Sequence, residues 1–178
     1  YELPDNWPNF VIDVVEQDAK VENEQDGLLM DERCLGLICT FLEKMTNDFN
    51  DSNMGGKVFS MGKYLSDNYF MQITDLCSKI TQKGKVELAK MALKIFALMM
   101  RWTKYDLLFD SPFVDTVISL VSSDILKISL YGFYALTELL YNLYLPAEYQ
   151  DKVFPIFFTI INVMKSKFKC FSEMMISE

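Results

Sequence analysis

The stretch FVDTVISLVSSDILKISLYGFYALTELLYNL, residues 113–143, decides the fold, because the chain says nearly the same thing one repeat earlier. Phe70, Ile73, Leu76 and Cys77 fall on Val114, Val117, Leu120 and Val121 at an offset of 44. Ala89, Ala92, Leu93, Phe96 and Ala97 fall on Gly132, Ala135, Leu136, Leu139 and Leu140 at an offset of 43. A one-residue slip between the halves is what a change of loop length produces. The apolar residues recur at steps of three and four, the period of one helical face. Self-similarity at this period with only helical patterning predicts stacked helical units, which bury a continuous core between neighbours.

The units extend outward from that stretch. Leu28 to Phe49 reads as a helix on the stripe Leu35, Ile38, Cys39, Leu42 and Met45, and the polar run 47–56 breaks it. A short helix over 58–65 and a second over 69–81 follow, with Ser66, Asp67 and Asn68 as capping residues between them. A long helix from Val86 to about Lys104 completes the unit at 57–104. The next, 105–145, holds a short segment at 105–109 and a helix entered through Ser111-Pro112. Pro suits a first helical position and Ser can cap it. After the Ser122-Ser123-Asp124 turn comes a long helix, 125–144. The remainder, 146–178, is a partial unit with a bend expected near Pro155; Phe154, Phe157, Ile160 and Ile161 match Val114, Val117, Leu120 and Val121 at an offset of 40. Residues 1–27 form an acidic lead-in with one short apolar run, Phe10 to Val15, and residues 28–178 the helical domain.

Residues 113–143 resemble an armadillo repeat: an apolar helix ending in a Leu-Val step, a polar turn, then a helix with small residues at Gly132 and Ala135. The resemblance covers about 57–165 and places the chain in the armadillo-repeat (ARM/HEAT-like) superfamily. It implies an all-α, right-handed superhelical solenoid of about three to four three-helix units, three helices favouring armadillo over HEAT. It also implies protein binding along a surface. Importin-α-like and catenin-like members grip a peptide backbone with an Asn late in the third helix, and importin-α-like ones add a Trp one turn earlier. Here Asn142 stands in the Asn position with Glu138 in place of the Trp, and Met99 occupies the Asn position of the preceding unit. Asp106 stands where an Asn would follow Trp102. The repeated ladder is absent, so the resemblance does not extend to classical nuclear-localisation-signal binding.

Composition narrows the function classes. The chain carries a net charge of −8, concentrated at one end: residues 1–32 hold ten acids against the single base Lys20. An acidic chain gains nothing from counterion release on DNA or RNA, so nucleic acid is not an expected partner. No apolar run approaches the roughly 18 residues of a membrane span. There is no histidine, and Cys34-x4-Cys39 lacks zinc-finger spacing, so neither a metal nor a cofactor is expected. Without an imidazole, a cysteine nucleophile lacks its usual partner and no general base is poised near neutral pH. No catalytic residues are assigned. Cys34, Cys39 and Cys77 sit in apolar stripes and read as buried free thiols of a reducing compartment, hence a cytoplasmic protein with the nucleus as the alternative.

The candidate partner-binding residues are Lys94, Arg101, Tyr134, Glu138 and Tyr141. On 125–144 the small and leucine residues occupy one stripe, leaving Tyr134, Thr137, Glu138 and Tyr141 opposite. Tyrosine is amphipathic, orders cheaply and is enriched in binding hot spots. On 86–104 the corresponding face carries Met91, Lys94, Ile95, Leu98 and Arg101; the apolar three are read either as buried on both sides or as lining an apolar groove. The seven bases between Lys79 and Lys104 can meet either a partner or the chain's own acidic N-terminal region. The leading reading is a non-catalytic scaffold that captures a peptide or helix along the third-helix groove. The rivals are a helical regulatory or dimerisation domain of formin-regulatory type and a Bcl-2-like bundle with a partner-helix groove.

Overall fold

The computed structural model describes residues 13–14, 24–49, 55–141 and 146–176. Among them lie seven α-helices and no strand: α1 Glu24–Phe49, α2 Gly55–Gln82, α3 Val86–Met99, α4 Tyr105–Asp110, α5 Phe113–Val121, α6 Leu126–Leu140 and α7 Gln150–Ile176, with a 3-10 turn at Ala147–Tyr149. The fold is an all-α solenoid. α1, α3 and α6 lie side by side in one layer and α2, α5 and α7 in the other, while α2–α3 and α5–α6 form the hairpins between layers. Layer neighbours are thus two or three elements apart in the chain, which is how stacked repeats pack.

The stripes that define the period are the core. Leu35, Ile38, Leu42 and Met45 of α1 are buried, as are Ile73 of α2, Leu93 and Phe96 of α3, and Ala135 and Leu136 of α6. Phe96 links the two units, its ring 5.5 Å from Phe113 and 6.4 Å from Phe70. The equivalent small positions Ala92 and Ala135 are both fully buried. At Gly132 a Cβ would stand 3.0 Å from Val121, so the α5–α6 crossing is set by the missing side chain.

The first repeat departs from the expected three helices. α2 runs unbroken through Ser66, Asp67 and Asn68. Those residues do not cap, because their polar atoms are spent elsewhere. The Ser66 hydroxyl donates to Thr103 Oγ1 at 3.1 Å and Asp67 pairs with Lys104 at 2.8 Å. Asn68 donates to the Tyr64 carbonyl at 2.8 Å, one turn back along the same helix. The unit is therefore a two-helix hairpin of HEAT type. In the second repeat Pro112 enforces the break between α4 and α5; it stands at the N-cap and not at the first helical position, and Ser111 Oγ accepts from the Phe113 N–H at 3.3 Å.

Other boundaries shift for local reasons. α1 begins at Glu24, four residues before Leu28. Acidic sequence is favoured at a helix N-terminus by the aligned peptide dipoles, so the polar run continues the helix. α3 ends at Met99 and α6 at Leu140, each short of the expected end. α7 passes through Pro155, in its second turn, as one helix. The turn into α3 uses Gly84 at φ +70°, its N–H bonded to the Thr81 carbonyl at 3.1 Å, in the left-handed conformation that glycine adopts without strain. α2 continues to Gln82, past Cys77, the counterpart of the Val121 at which α5 stops, so the two repeats turn differently where the slip between their halves falls.

Candidate functional site

The layer α1–α3–α6 presents a face of mixed charge and aromatic character. Lys94, midway along α3, forms an ion pair with Glu43 of α1. That bond raises the Lys94 pKa above the ordinary value, partly offset by desolvation. Arg101, just past the end of α3, places its guanidinium 5.4 Å from the centroid of the Phe49 ring at the end of α1. From the other side α6 contributes Tyr134, 44% exposed. Its hydroxyl pKa is pushed up by partial burial first and by the Glu138 carboxylate second, while Lys94 and Arg101 pull it down. Four of the five residues expected from sequence thus stand on, or just past the end of, two helices that pack side by side. Tyr141 is the C-cap of α6, its N–H bonded to the Thr137 carbonyl at 2.8 Å and its side chain 71% exposed. Asn142 lies outside the described residues.

Lys94, expected to face a partner, is engaged across the layer by Glu43 because α1 packs beside α3. Of the two readings of Met91, Ile95 and Leu98, packing between neighbouring helices is the one that holds. Ile95 is fully buried, and Met91 reaches α1, its terminal methyl carbon 3.7 Å from a Cβ built on Gly36. α3 is packed by α1, α2 and α6 together, which is why it is apolar nearly all round. At its start Lys90 pairs with Glu87 at 2.6 Å and sits 5.4 Å over the Tyr131 ring, while Lys127 of α6 lies 3.8 Å from Glu87. Much of the basic run is thus matched internally.

Glu43 and Phe49 belong to this face and sequence reasoning missed them. Their helix was legible, but nothing in its own period says that it lies against α3. Leu130 of α6, 56% exposed, was missed as well; it sits one turn before Tyr134 and shows in the same helical wheel.

The cysteines are as foreseen. Cys34, Cys39 and Cys77 are buried free thiols. Burial pushes the Cys39 and Cys77 pKa values up, away from the reactive thiolate. The Cys34 thiol donates to the Val14 carbonyl at 3.3 Å. Among the described residues no group of three or more His, Cys, Asp or Glu is placed to hold a metal ion, and no helix is long and apolar enough to cross a membrane.

On the opposite layer, Tyr105, Phe109 and Tyr149 stack with centroids 5.4–6.2 Å apart and Lys152 caps the stack 5.4 Å over Phe109. The Tyr149 hydroxyl donates to Asp106 at 2.5 Å. This cluster borders a cavity of about 280 Å³ lined by Phe109, Val114, Ile118, Pro155 and Ile156.

Two layers of hairpins around a repeated core define a helical-repeat protein of the ARM/HEAT class. Comparison with protein families then gives the particular one: the family model described as exportin 1-like protein matches residues 1–133, and the chain belongs to that family of HEAT-repeat proteins. No curated protein and no solved structure matches it.

Proposed function

We propose that the chain is a non-catalytic protein-interaction scaffold that binds a peptide or helix of a partner protein across the exposed face of α3 and α6. The observation that carries this reading is that α3 and α6 pack side by side and leave Tyr134 and Tyr141 exposed in a layer that also carries Lys94 and Arg101. Membership of the exportin 1-like family supports a scaffold role. The absence of histidine from the sequence and the buried state of three thiols support a non-catalytic one.

The face suits a partner that brings apolar contact first and charge second. Tyr134 and Tyr141 offer amphipathic area at small entropic cost. Arg101 and Glu138 set register by accepting a carboxylate and a donor respectively. The pair of Lys94 with Glu43 holds α1 against α3 and so steadies the floor of the face. Nucleic acid is a poor fit for a chain of net charge −8. Buried free thiols suit a reducing compartment, so the cytoplasm is proposed, with the nucleus as the alternative.

The test is affinity capture from native extract followed by cross-link mapping. Cross-links concentrated on α3 and α6, lost in a Tyr134→Ala/Tyr141→Ala double variant, support the proposal. A partner that maps elsewhere and binds the double variant normally sinks it.

A further inference from the structure

The cavity of about 280 Å³ beside the aromatic stack has an apolar body and one charged end. Its walls are α4, α5 and α7, and α6 contributes nothing, so it lies between two repeats of one layer and not beyond the last of them. Val114 and Ile156 are buried in it, and Ile118 stands one turn further along α5. The two hydroxyls that line it are already spent. Ser111 donates to Thr74 Oγ1 at 3.0 Å and accepts from the Phe113 N–H, while Thr159 donates to the Pro155 carbonyl at 2.9 Å. The body therefore asks for apolar atoms. At the end beside α4 the character changes. Lys152 of α7 holds its ammonium 5.4 Å over the Phe109 ring and 5.9 Å over that of Tyr149. Asp115, in the first turn of α5, stands on the opposite wall. Among the described residues neither forms an ion pair, with the other or with a third group. Asp106, whose carboxyl feels Lys152, accepts the Tyr149 hydroxyl instead.

We propose that this cavity binds a free apolar α-amino acid, with its side chain in the apolar body, its ammonium at Asp115 and its carboxylate at Lys152. Three observations specify that occupant. The first is size. The volume falls just below the roughly 300 Å³ at which pockets for drug-sized ligands begin, so the occupant is a small metabolite. The second is charge. A cation and an anion on facing walls complement a zwitterion, whereas an amine or an acid alone satisfies one of them only. A residue inside a peptide chain brings neither a free ammonium nor a free carboxylate. Lys152 is also held in place by the aromatic stack, so the incoming carboxylate meets a cation that is already ordered. The third is polarity. With Ser111 and Thr159 engaged, a polar side chain would give up its bonds to water without replacement. Leucine, isoleucine, methionine and phenylalanine are thus favoured over serine or glutamine. The site lies in the layer opposite the α3–α6 face and does not depend on the function proposed for that face.

The 178-residue chain is titrated with L-leucine and with L-phenylalanine by isothermal titration calorimetry. Three analogues of leucine follow: 3-methylbutylamine, which lacks the carboxylate, 4-methylpentanoate, which lacks the ammonium, and N-acetyl-leucine amide, which lacks both charges. Saturable binding of at least one amino acid is expected, weakened about fivefold or more by Asp115→Asn, by Lys152→Met and by loss of either charge from the ligand. Ile118→Trp, which fills the cavity, should abolish it. Circular dichroism of each variant confirms folding, and Thr159→Phe replaces Ile118→Trp if that variant melts early. Absence of saturable binding to the folded chain overturns the proposal, and so does binding indifferent to both Asp115→Asn and Lys152→Met. N-acetyl-leucine amide binding as tightly as leucine gives the cavity to a side chain of a partner protein and equally overturns it. The Tyr134→Ala/Tyr141→Ala double variant should bind the amino acid normally; loss there moves the ligand to the α3–α6 face and sinks the assignment.

Discussion

Lys83 donates from its ammonium to both carboxylate oxygens of Asp31, at 2.8 and 2.6 Å, and Asp31 is fully buried while Lys83 remains 41% exposed. The pair ties α1 to the turn between α2 and α3. It also joins the acidic N-terminal region to the basic run that begins at Lys79, so at least one of those bases serves the chain itself.

Removing the two partners of this pair should not cost the same. Lys83→Ala leaves a buried carboxylate without a counter-ion and should cost about 3 kcal/mol, near the low end for a broken buried pair. Asp31→Asn retains shape and hydrogen-bonding capacity and releases Lys83 to water, so about 1–2 kcal/mol is expected. Urea unfolding of both variants checks the order; equal losses would mean that the charge of Asp31 is not the governing factor.

Gly62 and Gly56 lie on the same helix in opposite circumstances. A Cβ at Gly62 would stand 2.4–2.6 Å from the indole ring atoms of buried Trp102, whereas one at Gly56 meets nothing within 4 Å. The indole is rigid and enclosed, so Gly62→Ala should destabilise by about 1–3 kcal/mol through overpacking. Gly56→Ala should stabilise by up to about 1 kcal/mol, through better helix propensity. Thermal melts of the two variants should move in opposite directions.

The two faces of α6 predict different phenotypes. Leu136 and Leu139 are buried, and replacing either with Ala should cost roughly 2–5 kcal/mol of stability. Tyr134 and Tyr141 are exposed, so their double Ala variant should fold normally and weaken partner binding by about 1–4 kcal/mol if both are hot spots. A double tyrosine variant as unstable as the leucine ones would show that the faces are misassigned.

Tyr149 should titrate late. Its hydrogen bond to Asp106 leads the causes that push its pKa up to about 12, and the same bond holds the Asp106 carboxyl below the ordinary carboxylate range. Phenolate absorbance should show one tyrosine ionising near pH 12, moved toward 10 by Asp106→Asn. For stability the signs follow from linkage. The raised tyrosine contributes below pH 10 and loses its contribution as the pH climbs toward 12. The lowered aspartate contributes above its unfolded value of about 3.8 and loses its contribution as the pH falls through the folded one.

What the sequence determined by itself was whatever depends on period. The 43- and 44-residue echo required equivalent helices, and the stripes through Leu35, Phe96 and Leu136 required one shared core, because burial follows the helical repeat directly. It also separated Tyr134 and Tyr141 from that core. Tertiary structure decided everything that depends on which helices become neighbours. Ser66 and Asp67 have the composition of a cap, yet Thr103 and Lys104 draw them into contacts across the hairpin, so α2 runs on and the first unit is of HEAT type. Lys94 can meet a partner or an acid of the chain itself on sequence alone, and α1 places Glu43 beside it. Phe154 and Phe157 match buried valines in period and are exposed all the same, because no described helix packs over α7 as α6 packs over α5. Periodicity reports which face of a helix is apolar; only packing determines what that face meets.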